Sequence, residues 1–327
     1  MANLGSRRIG LGLAALGRPG YITLGRSDAI GDAARRDVEY MRSRTEAVLE
    51  TAWTAGVRWF DVARSYGKAE EFVGDWLRCK GVAPSEVAVS SKWGYRYVAD
   101  WHVEVAGDVH EVKEHTPEHF ASQLAETLDC VGEYIRLYQI HSATIESGVL
   151  QNAEVLQLLH SCKRERGWAI GLSLSSPTQS DVLRAALATR VQGEALFSSC
   201  QVTYNMLEQE AHAALLEAHH AGLTVIVKEG VANGRLLSGG SGLAIDETCT
   251  HFGCSRDQLA LACVLAQEFE PWVLSGAVTG KQLLSNVRAD EVAEQLKEEP
   301  ALLARVMGKL RQDSGTYWAD RAALEWN

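Results

Sequence analysis

Eight times along the chain, a short apolar run rich in β-branched and aromatic residues is followed by a longer stretch with apolar residues at helical spacing. Such alternation requires parallel βαβ units, because each strand must return across the sheet through a helix before the next can pair. The runs are Ile9–Leu16, Val57–Ala63, Val87–Lys92, Ile135–Ser142, Ala169–Ser173, Phe197–Tyr204, Leu223–Lys228 and Trp272–Gly276. Their continuous apolar character suits strands buried on both faces. Eight such units predict an α/β fold, a (β/α)8 TIM barrel. Glu291–Gln312 and Ser314–Leu324 are expected as C-terminal extra helices outside it. No linker divides residues 1–327, so a single barrel domain is expected.

Helix starts are marked by Ser43 with Glu46, a capping-box pattern, and by Thr116 followed by Pro117. Two segments exceed a simple connection, Arg18–Tyr40 after the first strand and Trp93–His115 after the third. Both follow C-terminal strand ends, the barrel face on which active sites are built, and long loops there are commonly functional.

Composition narrows the function classes. At 327 residues, 46% hydrophobic, the chain can bury one large core, and a formal charge of −10 opposes a nucleic-acid partner. The one basic cluster, Lys163–Arg166, is interrupted by Glu165 and ends a helical pattern. Seven cysteines without a regular spacing speak for a reducing compartment. Cys249, His251 and Cys254 lie close in sequence but lack a second ligand pair, so no metal is expected. Met1–Gly10 has no apolar leader core, and no run reaches the ~20 apolar residues that span a bilayer. A cytoplasmic protein with no membrane partner is the expectation; oligomeric state is not legible.

At the predicted C-terminal strand ends stand Asp61, Lys92, His141, Ser173, Gln201 and Lys228, with Tyr66 five residues beyond Asp61. A phenol near pKa ~10 holds its proton at neutral pH, and a neighbouring ammonium eases its release. Asp61 is the natural counter-charge for a buried Lys92, and His141 can orient a carbonyl oxygen. Singly, each has a plain structural role: a loop cap, a solvated charge, a core histidine, a rim aromatic. Together they are matched for proton donation to a developing alkoxide.

The runs Phe60-Asp-Val-Ala-Arg-Ser-Tyr66-Gly, Ser91-Lys92-Trp93 and Tyr138-Gln-Ile-His141-Ser142 resemble the aldo-keto reductase superfamily, and the likeness extends over essentially the whole chain. The resemblance implies a catalytic tetrad of Asp61, Tyr66, Lys92 and His141, with Tyr66 as proton donor in nicotinamide-dependent reduction of an aldehyde or ketone. A side chain supplies no hydride, so a cofactor is required. No Gly-x-Gly-x-x-Gly follows a strand, which argues against a Rossmann domain, and Leu237–Gly242 lacks a phosphate-loop Lys and reads as a flexible connection.

By the same resemblance, Ser173 and Gln201 are expected to hold the carboxamide and Tyr204 to stack on the nicotinamide; Leu174 stands where an asparagine is usual. Lys228, Asn233 and Arg235 are expected along the pyrophosphate, and Gly276, Thr279, Lys281, Gln282 and Asn286 at the adenosine phosphate. Gly276, Ala277 and Gln282 replace part of the usual 2′-phosphate pattern, while Thr279 and Lys281 compensate, so NADPH is expected with NADH possible. The partner is a small-molecule carbonyl or alcohol. Trp93, Tyr95 and Trp101 are expected to wall the substrate site or to pack their loop, and Tyr97, Trp318 and Trp326 are further aromatic candidates. Three other functions fit: an NAD-dependent sugar or alcohol dehydrogenase on the same scaffold, a cofactor-binding regulatory subunit, and an unrelated barrel with Lys92 as Schiff-base nucleophile. The last leaves Gln201, Tyr204 and the strand-eight segment without a role.

Overall fold

The computed structural model describes residues 7–327; Met1–Ser6, part of the segment read as lacking a leader core, lie outside the described residues. Eight parallel strands close on themselves: β1 (Ile9–Gly12), β2 (Trp59–Asp61), β3 (Ala88–Trp93), β4 (Ile135–Ile140), β5 (Ala169–Ser173), β6 (Ser199–Thr203), β7 (Thr224–Lys228) and β8 (Trp272–Ser275). Each pairs with its chain neighbours, and β1 closes the ring against β8 through Ile9↔Val273, Gly10↔Leu274 and Leu11↔Ser275. This is the expected (β/α)8 barrel.

Helices α1 (Val38–Thr54), α2 (Ala69–Lys80), α3 (Pro117–Val131), α4 (Ala153–Arg166), α5 (Gln179–Ala188), α6 (His212–His220), α7 (Arg256–Leu265) and α8 (Gly280–Asn286) follow the strands in turn. Beyond α8 come α9 (Ala289–Glu298), α10 (Pro300–Leu310) and α11 (Ser314–Ala322). The stretch expected as one helix, Glu291–Gln312, is thus two, because Pro300 has no N–H to continue the hydrogen-bond ladder. Thr116 caps α3 by accepting from the His119 N–H at 3.2 Å. Ser43 caps nothing: α1 already starts at Val38, where Asp37 accepts from the Tyr40 N–H at 2.8 Å, and Ser43 lies exposed within the helix.

Period-two alternation divides the barrel interior into two layers. Trp59, Ala88, Leu137, Ile226 and Leu274 fill the floor, with Trp272 edge-on to Trp59 at 5.7 Å. Gly10 is required beside them, since a Cβ there would come within 2.2 Å of the Trp59 ring. Above the floor the inward residues turn polar. Trp59 Nε1 donates to Ser90 Oγ (2.9 Å), and Ser90 Oγ donates to the Asp61 carboxylate (2.7 Å), linking the two layers.

β1 stops at Gly12 rather than Leu16, because Leu13–Gly17 turns over the rim with the Leu16 and Gly17 N–H groups bonded to the Leu13 carbonyl. Part of the long segment that follows, Arg26–Ile30, is helical. Buried Arg26 ties it down, donating to the carbonyls of Ala15, Pro19, Arg18 and Asn327. The second long segment is an antiparallel hairpin, Tyr95–Tyr97 paired with Glu111–Lys113 in the register Tyr95↔Lys113 and Tyr97↔Glu111. Gly239–Leu243, overlapping the stretch Leu237–Gly242 read as a connection, forms a short helix. Among the described residues, no helix is long and apolar enough to cross a membrane.

Candidate active site

The interior ends in charge. Lys92, fully buried, donates to the Asp61 carboxylate and to the Val62 carbonyl at 3.0 Å. Asp61 also accepts from Ser90 Oγ and from Gln201 Nε2 at 2.9 Å, so the carboxylate is well satisfied without water. A buried ion pair persists only when such additional bonds offset its desolvation. Lys92 Nζ lies 4.7 Å from the centroid of the Tyr66 ring.

Tyr66 sits beyond β2 on the turn that opens α2. Its ring meets His141 edge-on with centroids 5.4 Å apart. Burial pushes the Tyr66 hydroxyl well above the usual phenol range; Asp61 and Glu111 add to this, while Arg18 opposes it. His141 is held by its backbone N–H on the Trp93 carbonyl (2.8 Å) and by Nδ1 at 3.3 Å from Ser65 Oγ. Burial, then Lys92 and Arg18, hold its pKa well below the usual imidazole range. His141 is therefore a neutral hydrogen-bonding group at pH 7 and not a cation.

A groove of about 660 Å³ runs from this cluster across the barrel mouth to the segment after β8, a size typical of a small-molecule site. Asp61, Tyr66, Gln201 and Lys228 line one end, and Gly276, Thr279, Lys281, Gln282 and Asn286 the other, with Asn233 between. Asn286 is fixed by Ser275 Oγ, which donates to its Oδ1 (2.7 Å), and by its own Nδ2 on Asp257 (2.8 Å). Gln282 Oε1 accepts from the Val278 N–H at 2.9 Å. Lys228 Nζ donates to Thr203 Oγ1 at 2.5 Å, and burial lowers its pKa to about 8 despite Glu229. Two residues that line this groove, Gln201 and Asn233, each have a buried side-chain oxygen, Oε1 and Oδ1, without a partner among the described residues.

Three expected cofactor contacts are placed otherwise. Tyr204 is buried among Phe269 and His212 on the outer side of the barrel, its hydroxyl bonded to His212 Nδ1 (3.1 Å) and Gln267 (3.3 Å). Alternation explains it: Gln201 and Thr203 point inward, so Tyr204 points out. Arg235 stacks on the Tyr317 ring at 4.2 Å and braces α11. Ser173 faces inward but accepts from the Ser142 N–H at 2.9 Å and is not part of the groove wall.

Two of the expected substrate residues also point away. Trp93 follows inward Lys92, so it faces α3 and packs edge-on against Phe120 at 4.9 Å. Trp101 donates its indole N–H to the Arg36 carbonyl (2.8 Å), fastening the hairpin to the segment after β1. Tyr95 does reach the site, edge-on to His141 at 5.0 Å.

Sequence reasoning passed over the charged rim around Tyr66. Arg18 lies over three rings and pairs with Glu111 of the hairpin at 2.5 Å. Glu229, beyond β7, is held by Arg321 of α11 at 2.6 Å, and Arg321 and Lys228 bring its pKa down to about 2 in spite of burial. Trp326 stacks on His110 at 3.7 Å, and the Tyr21 and Asn327 backbones bond reciprocally at 3.0 and 3.2 Å. No local pattern signals these pairings, whose partners are some 90 to 300 positions apart.

A family model described as the Aldo/keto reductase family matches residues 8–304. Among solved structures, an aldo-keto reductase from Bacillus halodurans in its holo form superposes with a TM-score of 0.65 at 18% identity, covering 95% of each chain. A protein from Pseudomonas aeruginosa, provisionally described as an aldo-keto reductase, gives 0.60 at 21% identity over 88% of this chain and 90% of its own. At such identities these likenesses concern the fold alone. No curated protein matches the sequence.

Proposed function

The chain belongs to the aldo/keto reductase family, and from that premise we propose that it reduces an aldehyde or ketone to an alcohol with Tyr66 as proton donor. The observation that carries the reading is the setting of the Tyr66 ring, 4.7 Å from the buried Lys92 ammonium and edge-on to a neutral His141. As negative charge develops on the carbonyl oxygen, the Tyr66 O–H bond breaks and the proton passes to that oxygen. The electron pair left on the phenolate is stabilised by the Lys92 ammonium, which is paired with Asp61. His141 holds the carbonyl oxygen in line through an uncharged hydrogen bond, and Tyr95 supplies a wall beside it.

The groove suits a nicotinamide dinucleotide. Its two unpartnered acceptors, Gln201 Oε1 and Asn233 Oδ1, call for N–H and O–H donors of the kind carried by a carboxamide and a ribose. The cofactor, when bound, supplies the hydride. Lys228 contributes positive charge near the reacting end, while Lys281 and Thr279, with Gln282 and Asn286, line the far end. Lys281 and Thr279 favour NADPH over NADH.

Tyr66→Phe is expected to lower kcat for carbonyl reduction by about 10²–10⁴-fold while leaving dinucleotide affinity unchanged. Stopped-flow measurement of single-turnover reduction, run with NADPH and with NADH, tests both parts. A hydride-transfer rate in the variant equal to that of wild type removes Tyr66 from the mechanism, and tighter NADH binding reverses the cofactor assignment.

A further inference from the structure

Lys92 is not the only cation at the Tyr66 ring. Arg18, just beyond the rim turn after β1, is 2% exposed, and its guanidinium carbon lies 5.4 Å from the Tyr66 centroid. The same group lies 5.3 Å from the Tyr21 ring and 5.0 Å from that of Trp326, so its apolar surroundings are aromatic. Nε donates to the Ala14 carbonyl at 3.3 Å, and Nη1 donates to the Ser65 carbonyl at 3.1 Å and to Glu111 at 2.5 Å. Ser65 in turn meets His141 through its hydroxyl. One side chain therefore touches the ring of the proposed donor, the residue that contacts the carbonyl-orienting imidazole, and the inserted hairpin.

We propose that Arg18 is a positioning residue for proton transfer, easing loss of the Tyr66 proton through its charge, with Glu111 on the hairpin limiting how strongly it does so. The inference rests on the reading of Tyr66 as proton donor. In the forward step the Tyr66 O–H bond breaks, an O–H bond forms on the product oxygen, and the electron pair stays on the phenolate. A cation within about 6 Å of an aromatic ring is drawn to its electrons, and more strongly once the ring bears a full negative charge. In a dry site that attraction is little screened.

Tyr66 is faced by Asp61 and Lys92 from β2 and β3, His141 after β4, Arg18 and Tyr21 after β1, Glu111 from the hairpin and Glu229 after β7. Among the strongest influences on its hydroxyl, burial, Asp61, Glu111 and Glu229 favour the neutral phenol and Arg18 favours the phenolate. Arg18 keeps its own charge although burial works against it, with Glu111, to which it is paired, the largest influence in its favour. The two partners thus act on Tyr66 with opposite signs, which a purely architectural contact would not do.

The test reads Tyr66 directly. With ζ-¹³C-tyrosine in the chain and NADP⁺ saturating, the Tyr66 resonance, assigned by its loss in Tyr66→Phe, is titrated in wild type, Arg18→Met, Arg18→Lys and Glu111→Gln. Arg18→Met is expected to move deprotonation to higher pH by about one unit, a tenfold loss of phenolate at a given pH or about 1.4 kcal/mol. Arg18→Lys recovers part of that shift, and Glu111→Gln moves the titration to lower pH. The pH profile of kcat/KM for alcohol oxidation, which needs the phenolate, follows the same order. Equal positions in all variants, or shifts of Arg18→Met and Glu111→Gln in one direction, overturn the proposal. Should Arg18→Met not fold, Glu111→Gln against wild type decides it alone. Unmoved resonances beside an inactive Tyr66→Phe remove only Arg18, whereas a fully active Tyr66→Phe removes the donor assignment itself.

Discussion

A lysine with a pKa of about 8 inside a barrel mouth is a charge under tension. Burial drives Lys228 toward neutrality, and Arg321 and Lys92 add to that push, while Glu229 retains the proton through its charge and a hydrogen bond. Below pH about 8 Lys228 therefore adds a positive charge to this end of the groove, and above it does not. NADPH affinity of the wild type is expected to weaken several-fold between pH 7 and pH 9. Lys228→Met binds more weakly at pH 7 and converges with wild type at pH 9. Fluorescence titration at both pH values decides the matter, and parallel pH dependences in the two proteins contradict it. Lys228 and its partners also mark what single residues disclosed beforehand. That Asp61, Tyr66, Lys92 and His141 gather at one barrel mouth was legible because each stands at or just beyond a C-terminal strand end. Counting by twos from inward Gln201 and Lys92 puts Tyr204 and Trp93 on the helix-facing side, where both pack.

Elements carry the site by their attachment. The hairpin that brings Tyr95 and Glu111 to the rim is anchored at Gly94, whose N–H donates to Gln123 Oε1 (2.8 Å) while Gln123 Nε2 donates to the Tyr95 carbonyl (2.8 Å). Gly94 has φ 113°, and a Cβ there would lie 2.4 Å from the His115 ring, which itself is bonded to the His141 carbonyl at 3.0 Å. Gly94→Ala is expected to cost about 1–3 kcal/mol in backbone strain and to displace Tyr95 from His141. Calorimetry should show a lowered Tm and kinetics a lowered kcat/KM; an unchanged Tm would mean that the chain accommodates the methyl group without strain. The hairpin was not legible as such. Strands of three residues are too short to display alternation, and 13 residues separate the two that pair. The barrel strands were legible because their apolar runs are bounded by helices of normal length. Their ends were not, since the rim turn at Leu13–Gly17 is as apolar as the strand before it.

Over the whole molecule, an apolar floor beneath a charged mouth makes stability depend on pH in two successive windows. His115 and His141 are neutral in the fold: burial brings His115 down to about 4 and holds His141 well below 6.5. An unfolded chain takes up those protons near pH 6.5, the native chain only near pH 4 or below, so the unfolded state binds more protons between these values. The neutral imidazoles thus stabilise the fold fully above pH 6.5, and that contribution is lost as pH falls toward 4. For His115 the 2.5-unit gap corresponds to about 3 kcal/mol. Glu229 behaves as a depressed acid, with stability present above its unfolded value of 4.5 and lost as pH drops through about 2. Denaturation that begins above pH 5 therefore belongs to the histidines and not to the Glu229–Arg321 pair. Urea unfolding of wild type and His115→Gln at pH 7, 5.5 and 4 separates the contributions. The variant loses the bond to the His141 carbonyl and is less stable at pH 7, but its stability falls less steeply on acidification. Identical slopes in the two proteins would place the acid sensitivity elsewhere in the barrel, with His141 as the next position to substitute.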